Sequence, residues 1–400
     1  MRRMLLMIGC LSLFIVGCSS VKNKHEKTVM KEDSIPEKVE TVLQGMSLDE
    51  KISQMMIVSF REPVLSDTMR HSLQELKPGG FILFQENFSD YETTLQFVKD
   101  VKKTNSVPMF LGVDQEGGLV QRLKSLPGYD VTVIPSMYQV GKKQDSELTE
   151  EVAQVIAEEL RVFGINMDFA PSLDIYSNPE NQVIGTRSFG ETSELVSTQG
   201  KAFGRGLEKN RVLPVYKHFP GHGDTSTDSH YELPIVQKSL EELRAFELKP
   251  FEEVIGNGAM FVMVGHLAVP KITGDDTPAT LSKAIVTDLL KEEMGFDGLV
   301  MTDALDMEAL TDRYSTAEIV RQAVVAGVDI LLISSSLPDA IQALHTAVDQ
   351  GILTEERIDD SVRKILTVKY REIEPTYGDY LPDTYLGSAE HKQVIARLTE

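Results

Sequence analysis

Between residues 55 and 333 one pattern recurs eight times: a short apolar run, then a longer stretch of mixed polarity. The runs fall at 55–60, 80–84, 109–113, 166–170, 213–217, 260–264, 298–302 and 329–333, and they are rich in β-branched residues. A parallel strand covered on both faces reads as a continuous apolar run rather than as an alternation. Helical periodicity fills several gaps, at 147–163, 194–209, 240–257 and 282–294, and Gly164, Gly295 and Gly327 are placed to end helices. Strands that each feed a helix predict an α/β fold, and eight of them predict a TIM (β/α)8 barrel, a single catalytic domain over 39–371. With 400 residues, 42% of them hydrophobic, the chain can fill such a core.

Sites in such barrels lie where strands end and loops begin. Five of these junctions are unusually polar. The first is Gly112-Val113-Asp114-Gln115-Glu116-Gly117-Gly118, with Arg122 close behind. A carboxylate there can bind two neighbouring hydroxyls, or it can sit in a solvated turn. The second, Gly185-Thr186-Arg187-Ser188-Phe189-Gly190, offers Arg187 either as a ligand clamp or as a surface ion pair.

The third junction is the most demanding: Lys217-His218-Phe219-Pro220-Gly221-His222-Gly223-Asp224, then Asp228-Ser229-His230. Imidazole titrates near neutrality, so it can give and take a proton in one cycle. Asp228, two residues from His230, can fix the ring tautomer and raise its basicity. A loop of capping and hydrogen-bonding polar groups and a metal site are the other readings of the same residues. The fourth junction ends in His266, which either lines the pocket or is a structural histidine. The fifth is Val300-Met301-Thr302-Asp303-Ala304, where Asp303 should point to the barrel mouth. An ionised aspartate there can attack an anomeric carbon, or it can cap the next helix.

The ends of the chain read differently. Arg2 and Arg3 precede an apolar run at 4–16, too short to span a bilayer and suited to a signal peptide. Ile15-Val16-Gly17-Cys18-Ser19-Ser20 then resembles a bacterial lipobox, with Cys18 as the lipidated residue after removal of 1–17. Cys10, the only other cysteine, lies in the removed part. The polar stretch 18–38 is expected to be a flexible tether, and the expected location is the extracytoplasmic face of the cell membrane. The net charge of −21 argues against nucleic acid as a partner. Residues 372–400 read as a C-terminal strap and helix.

Together these motifs resemble glycoside hydrolase family 3, in its β-N-acetylglucosaminidase branch. The resemblance rests on Asp114 to Gly118, Arg187 to Gly190, Lys217 to Gly223, Asp228-Ser229-His230, Pro278 to Ser282 and Gly295 to Asp303. It implies Asp303 as nucleophile and His230, paired with Asp228, as acid/base. It implies Asp114, Arg122, Arg187, Lys217 and His218 as sugar-binding residues, with His222 and His266 in support. It implies no metal and no cofactor. The implied partner is a GlcNAc-containing glycan or muropeptide, with some transfer to phosphate in place of water. Two departures stand out. Leu119 occupies a position where the family often has arginine, and Ala304 one where many relatives have a second aspartate. The segment Leu386 to His391 resembles the beginning of a second domain of larger relatives.

Two other readings use the same residues. A metal-dependent barrel hydrolase would take ligands from His218, His222, Asp228 and His230, but the first run, 55–60, adds no His or Asp. An inactive sugar-binding lipoprotein would keep Asp114 and Arg187 without needing Asp303 or the Asp228–His230 pair.

Overall fold

The computed structural model describes residues 34–124, 126–225, 232–333, 337–373 and 381–399. Cys18, Asp228 and His230 lie outside the described residues. Nine strand segments form one parallel sheet: β1 Met56–Val58, β2 Gly80–Leu83, β3 Phe110–Val113, β4 Met167–Asp168, β5 Leu213–Pro214, β6 Tyr216–Phe219, β7 Phe261–Val264, β8 Leu299–Ala304 and β9 Ile330–Leu332. They neighbour one another in the order β5-β4-β3-β2-β1-β9-β8-β7-β6. Only Val215 separates β5 from β6, so the two ends of this order are one pass of the chain, and the sheet closes. Val215 N donates to Asp168 O at 3.0 Å and Lys217 N to Pro171 O at 3.2 Å across that seam. The result is the expected (β/α)8 barrel, and each of the eight apolar runs contains a strand.

The barrel interior is filled rather than hollow. At its lower end Phe110 and Phe261, each the first residue of its strand, meet edge to face at 5.5 Å. Lys369 closes that end, its Nζ 2.7 Å from Gln54 Oε1 and 5.1 Å from the centre of the Phe110 ring. Toward the upper end Ile82, Phe169, Met263 and Leu332 form an apolar floor beneath a pocket. Gly112 leaves room for that floor, because a Cβ there would sit 2.7 Å from the Phe169 ring.

Three elements depart from the sequence reading. The stretch 240–257 is two helices, Leu240–Ala245 and Lys249–Gly256, because Pro250 starts the second and cannot continue the first. The stretch 282–294 winds as a π-helix, Ala284–Glu293, with Met294 N bonded five residues back to Leu289 O. The assigned tether overlaps the helix Ile35–Gln44, so ordered chain begins before Val39. Ile35, Val39 and Leu43 recur every fourth residue and are buried, Glu40 pairs with Arg363, and Lys38 lies over the Tyr370 ring.

Beyond the barrel, Pro382–Tyr385 and Ala389–Ala396 pack on the helix Ser146–Val162. His391 Nε2 lies 2.8 Å from Glu158 and Nδ1 3.4 Å from Glu159. Glu159 Oε1 also accepts from Gly387 N at 2.9 Å and Thr132 N at 3.1 Å. Burial pushes the His391 pKa down, but the two carboxylates outweigh it and raise it to about 9. Stability from this clasp is therefore fully present below the unfolded value of about 6.5. It is lost as pH rises through about 9. Hydrogen exchange at 382–396 is expected to gain protection on lowering the pH from about 10 to 7, beyond the intrinsic change, and His391→Gln should abolish that gain. An unchanged gain in the variant would show that another group holds the segment.

Candidate active site

β3 ends at Val113, and Asp114 follows at the barrel mouth. The chain then folds back as a two-stranded ribbon, Gln115–Gly117 against Val120–Gln121. Gly117 and Gly118 turn it with φ of 100° and 57°, where a side chain would be strained. A Cβ on Gly117 would also meet the Pro135 carbonyl oxygen at 2.7 Å. The ribbon returns Arg122 to Asp114, with Nη2 3.4 Å from Oδ2.

Glu116, at the ribbon's base, is almost wholly buried and holds two cations. Arg187 Nε and Nη2 each reach its carboxylate at 2.8 Å. Lys217 Nζ lies 2.6 Å from Glu116 Oε1 and 2.9 Å from Asp114 Oδ1. Burial alone would raise the Glu116 pKa. Arg187 and Lys217 outweigh it and hold the carboxyl far below the usual range. Arg187 is thus neither of the two sequence alternatives alone: it is ion-paired, but within the pocket wall.

Lys217 and His218 lie on β6. His218 Nδ1 is 2.6 Å from Asp174 Oδ2. An ionised carboxylate only accepts, so Nδ1 carries the proton and Nε2 is left for the pocket. Burial opposes ionisation of Asp174, but the two histidines outweigh it and hold its pKa well below the usual range. Its other oxygen accepts from His222 N at 2.6 Å. His222 Nδ1 meets Thr225 Oγ1 at 2.6 Å, and burial, partly opposed by Asp174, pushes this ring down to about 4. Asn181 Nδ2 donates to His222 O at 2.8 Å and Gly223 O at 3.2 Å. Gly223 lies so close to this segment that a Cβ would fall 1.7 Å from Ile175 O. These contacts fix the chain up to Thr225, next to 226–231.

Asp303 sits near the end of β8 on the pocket wall. Its Oδ1 accepts from Ala304 N at 2.8 Å. Burial would raise its pKa, but the neighbouring His218 and His266, the Ala304 N–H and Lys217 outweigh it and favour the carboxylate.

The pocket therefore gathers Asp114, Arg122, Arg187, Lys217, His218, His222 and Asp303. His266 stands behind the cavity wall, in the structural alternative left open at that junction: it is buried and its ring bonds Thr280 and the Ala304 carbonyl. It follows the last residue of β7, Val264, by two positions. Glu116 and Asp174 were not singled out from sequence. Glu116 stood within a quoted motif between a buried glutamine and a glycine, which was a usable signal. Asp174 stands in irregular chain, without one.

A closed barrel with paired acids and cations around an ionised aspartate defines a catalytic barrel suited to a polyhydroxylated ligand. Residues 47–368 match the glycosyl hydrolase family 3 N terminal domain, and the chain belongs to that family. Beta-hexosaminidase A of Pseudoalteromonas piscicida is 31% identical over 345 residues, 80% of this chain and 58% of that protein. The chain thus spans under two thirds of that relative. Beta-hexosaminidase LpqI of Mycobacterium tuberculosis is 33% identical over 335 residues, 81% of this chain and 83% of that one. A solved family 3 β-N-acetylglucosaminidase from Paenibacillus sp. str. FPU-7 superimposes with a TM-score of 0.83 at 38% identity, covering 88% of this chain and 68% of that chain.

Glu116→Gln keeps the shape and removes the charge, leaving Arg187 and Lys217 underpaired in a buried setting. The expected cost is about 3 kcal/mol, read from urea unfolding. A cost below about 1 kcal/mol would mean that the two cations find other partners.

Proposed function

We propose that this protein is a retaining, exo-acting β-N-acetylglucosaminidase. The observation that carries the reading is Asp303: a carboxylate kept ionised in a buried pocket, one oxygen fixed by Ala304 N–H, beside hydroxyl-binding acids and cations. With Oδ1 engaged, Oδ2 is the oxygen that attacks C1. The bond from C1 to the leaving oxygen breaks as His230, oriented by Asp228, gives that oxygen a proton. A glycosyl ester of Asp303 forms. Neutral His230 then takes a proton from water, which attacks C1 and releases Asp303. Asp114, Arg122, Lys217 and His218 hold the hydroxyls of the terminal sugar, and Arg187 holds the set together through Glu116. A neutral imidazole does not repel an anion as a carboxylate would, so phosphate competes with water in the second step.

The names of the relatives support a β-linked N-acetylhexosamine as substrate. The substrate we propose is a peptidoglycan fragment with terminal N-acetylglucosamine, met on the outer side of the membrane.

Two chromogenic and natural substrates test the mechanism together. Asp303→Ala should lower turnover of a nitrophenyl N-acetylglucosaminide by about 10³ or more. His230→Ala should slow a disaccharide fragment by about 10²–10⁴, because a sugar alcohol needs the proton. It should spare the first step for nitrophenol, and azide should restore turnover and give a glycosyl azide. Equal loss on both substrates, without an azide adduct, would remove His230 as acid/base.

The anchor is a separate proposal, motivated by the Ile15 to Ser20 motif. The intact mass of the protein from membranes should show diacylglycerol on Cys18, and Cys18→Ala should be released. A membrane-extracted protein with unmodified Cys18 would refute it.

A further inference from the structure

At Asp303 the barrel sheet is irregular. On the β7 side the ladder ends at Thr302 opposite Val264. On the β9 side Met301 pairs with Ile330 and Ala304 with Leu332, so three steps on β8 face two on β9. The extra residue is a bulge, a device that re-aims a side chain and leaves backbone groups without ladder partners. Side chains supply the missing bonds. Thr302 Oγ1 accepts from Leu332 N at 3.0 Å. His266 Nε2 reaches the Ala304 carbonyl at 2.8 Å, which also faces Met307 N at 3.4 Å.

Partners set the proton positions. A carbonyl only accepts, so His266 Nε2 carries the proton. Nδ1 faces Thr280 Oγ1 at 2.8 Å. Thr280 Oγ1 also lies 3.0 Å from the Gly265 carbonyl oxygen, so it ties the ring to the chain just after β7. The Ala304 residue is then held from both sides: its carbonyl by His266, its N–H by Asp303 Oδ1.

We propose that His266, oriented by Thr280, is a positioning residue for the nucleophile: it replaces the lost ladder bond at Ala304 and so fixes the Asp303 carboxylate toward C1. This rests on the reading of Asp303 as nucleophile. His266 does not touch substrate. Its contribution is the angle at which Asp303 Oδ2 faces the sugar, and errors of about 1 Å in such geometry cost about 10²-fold in rate.

Asparagine and glutamine separate this role from mere packing. The Asn amide nitrogen overlays Nδ1 and cannot reach Ala304, whereas the Gln amide nitrogen overlays Nε2 and can. With a nitrophenyl N-acetylglucosaminide, His266→Asn should lower kcat by about 10²-fold. His266→Gln should stay within about tenfold of wild type, and KM should move by less than about threefold in both. Thr280→Val should lower kcat and Thr280→Ser restore it, which carries the test if His266→Asn does not fold. A fluorinated activated sugar should label Asp303 in every folded variant, at rates that follow kcat. Equal losses for His266→Asn and His266→Gln, with Thr280→Ser no better than Thr280→Val, would overturn the positioning role while leaving the nucleophile intact. Labelling of another carboxylate in the wild-type protein would instead overturn the nucleophile and the positioning role with it.

Discussion

The pocket depends on one buried carboxylate. Glu116 leaves the barrel after β3, Arg187 comes from the chain after β4, and Lys217 from β6, so a single acid ties three βα junctions together. Taking such ions out of water is costly, and mutual attraction repays it only where geometry is good and the remaining donors are used. Here Arg187 is bidentate and Lys217 has a second acceptor in Asp114. Nearby, Asp168 marks the limit of what the cations can support. Its Oδ2 is buried without a hydrogen-bond partner among the described residues, and desolvation together with Asp114 and Glu116 raises its pKa well above the usual range.

Two residues facing the cavity are set from behind by buried partners. Asp174 fixes the tautomer of His218 and, with its other oxygen, the backbone of His222. His266 fixes the residue that fixes Asp303. Each arrangement joins a hydrogen-bonded polar side chain to a pocket that Ile82, Phe169, Met263 and Leu332 also line. The floor supplies low dielectric, in which hydrogen bonds gain strength.

The strands were legible because both their faces are buried, so each is a continuous apolar run. Asp114, Lys217, His218 and Asp303 were legible for a related reason: polarity that appears abruptly at a strand end has few purely structural uses. The break at Pro250 could have been read from the proline alone. The π-helix Ala284–Glu293 could not, since over ten residues its apolar spacing is too close to 3.6 to tell apart. Asp174 was hidden because 171–184 has no period, and its partners stand 44 and 48 residues away. The place of His266 was hidden likewise, because its partners Thr280 and Ala304 stand 14 and 38 residues away.

Gly223 has a consequence for anyone who would rebuild this site. Its Cα approaches Ile175 so closely that no side chain fits, while Asn181 and Asp174 clamp the backbone on either side of it. The chain up to Thr225 therefore belongs mechanically to the segment that holds Asp174, Ile175 and Asn181. A natural splice boundary lies just after Thr225. Replacing residues between Thr225 and Glu232 would exchange the proposed acid/base pair, Asp228 and His230, as a cassette, whereas a graft begun at Pro220 or Gly221 would import a stem that its new host cannot hold.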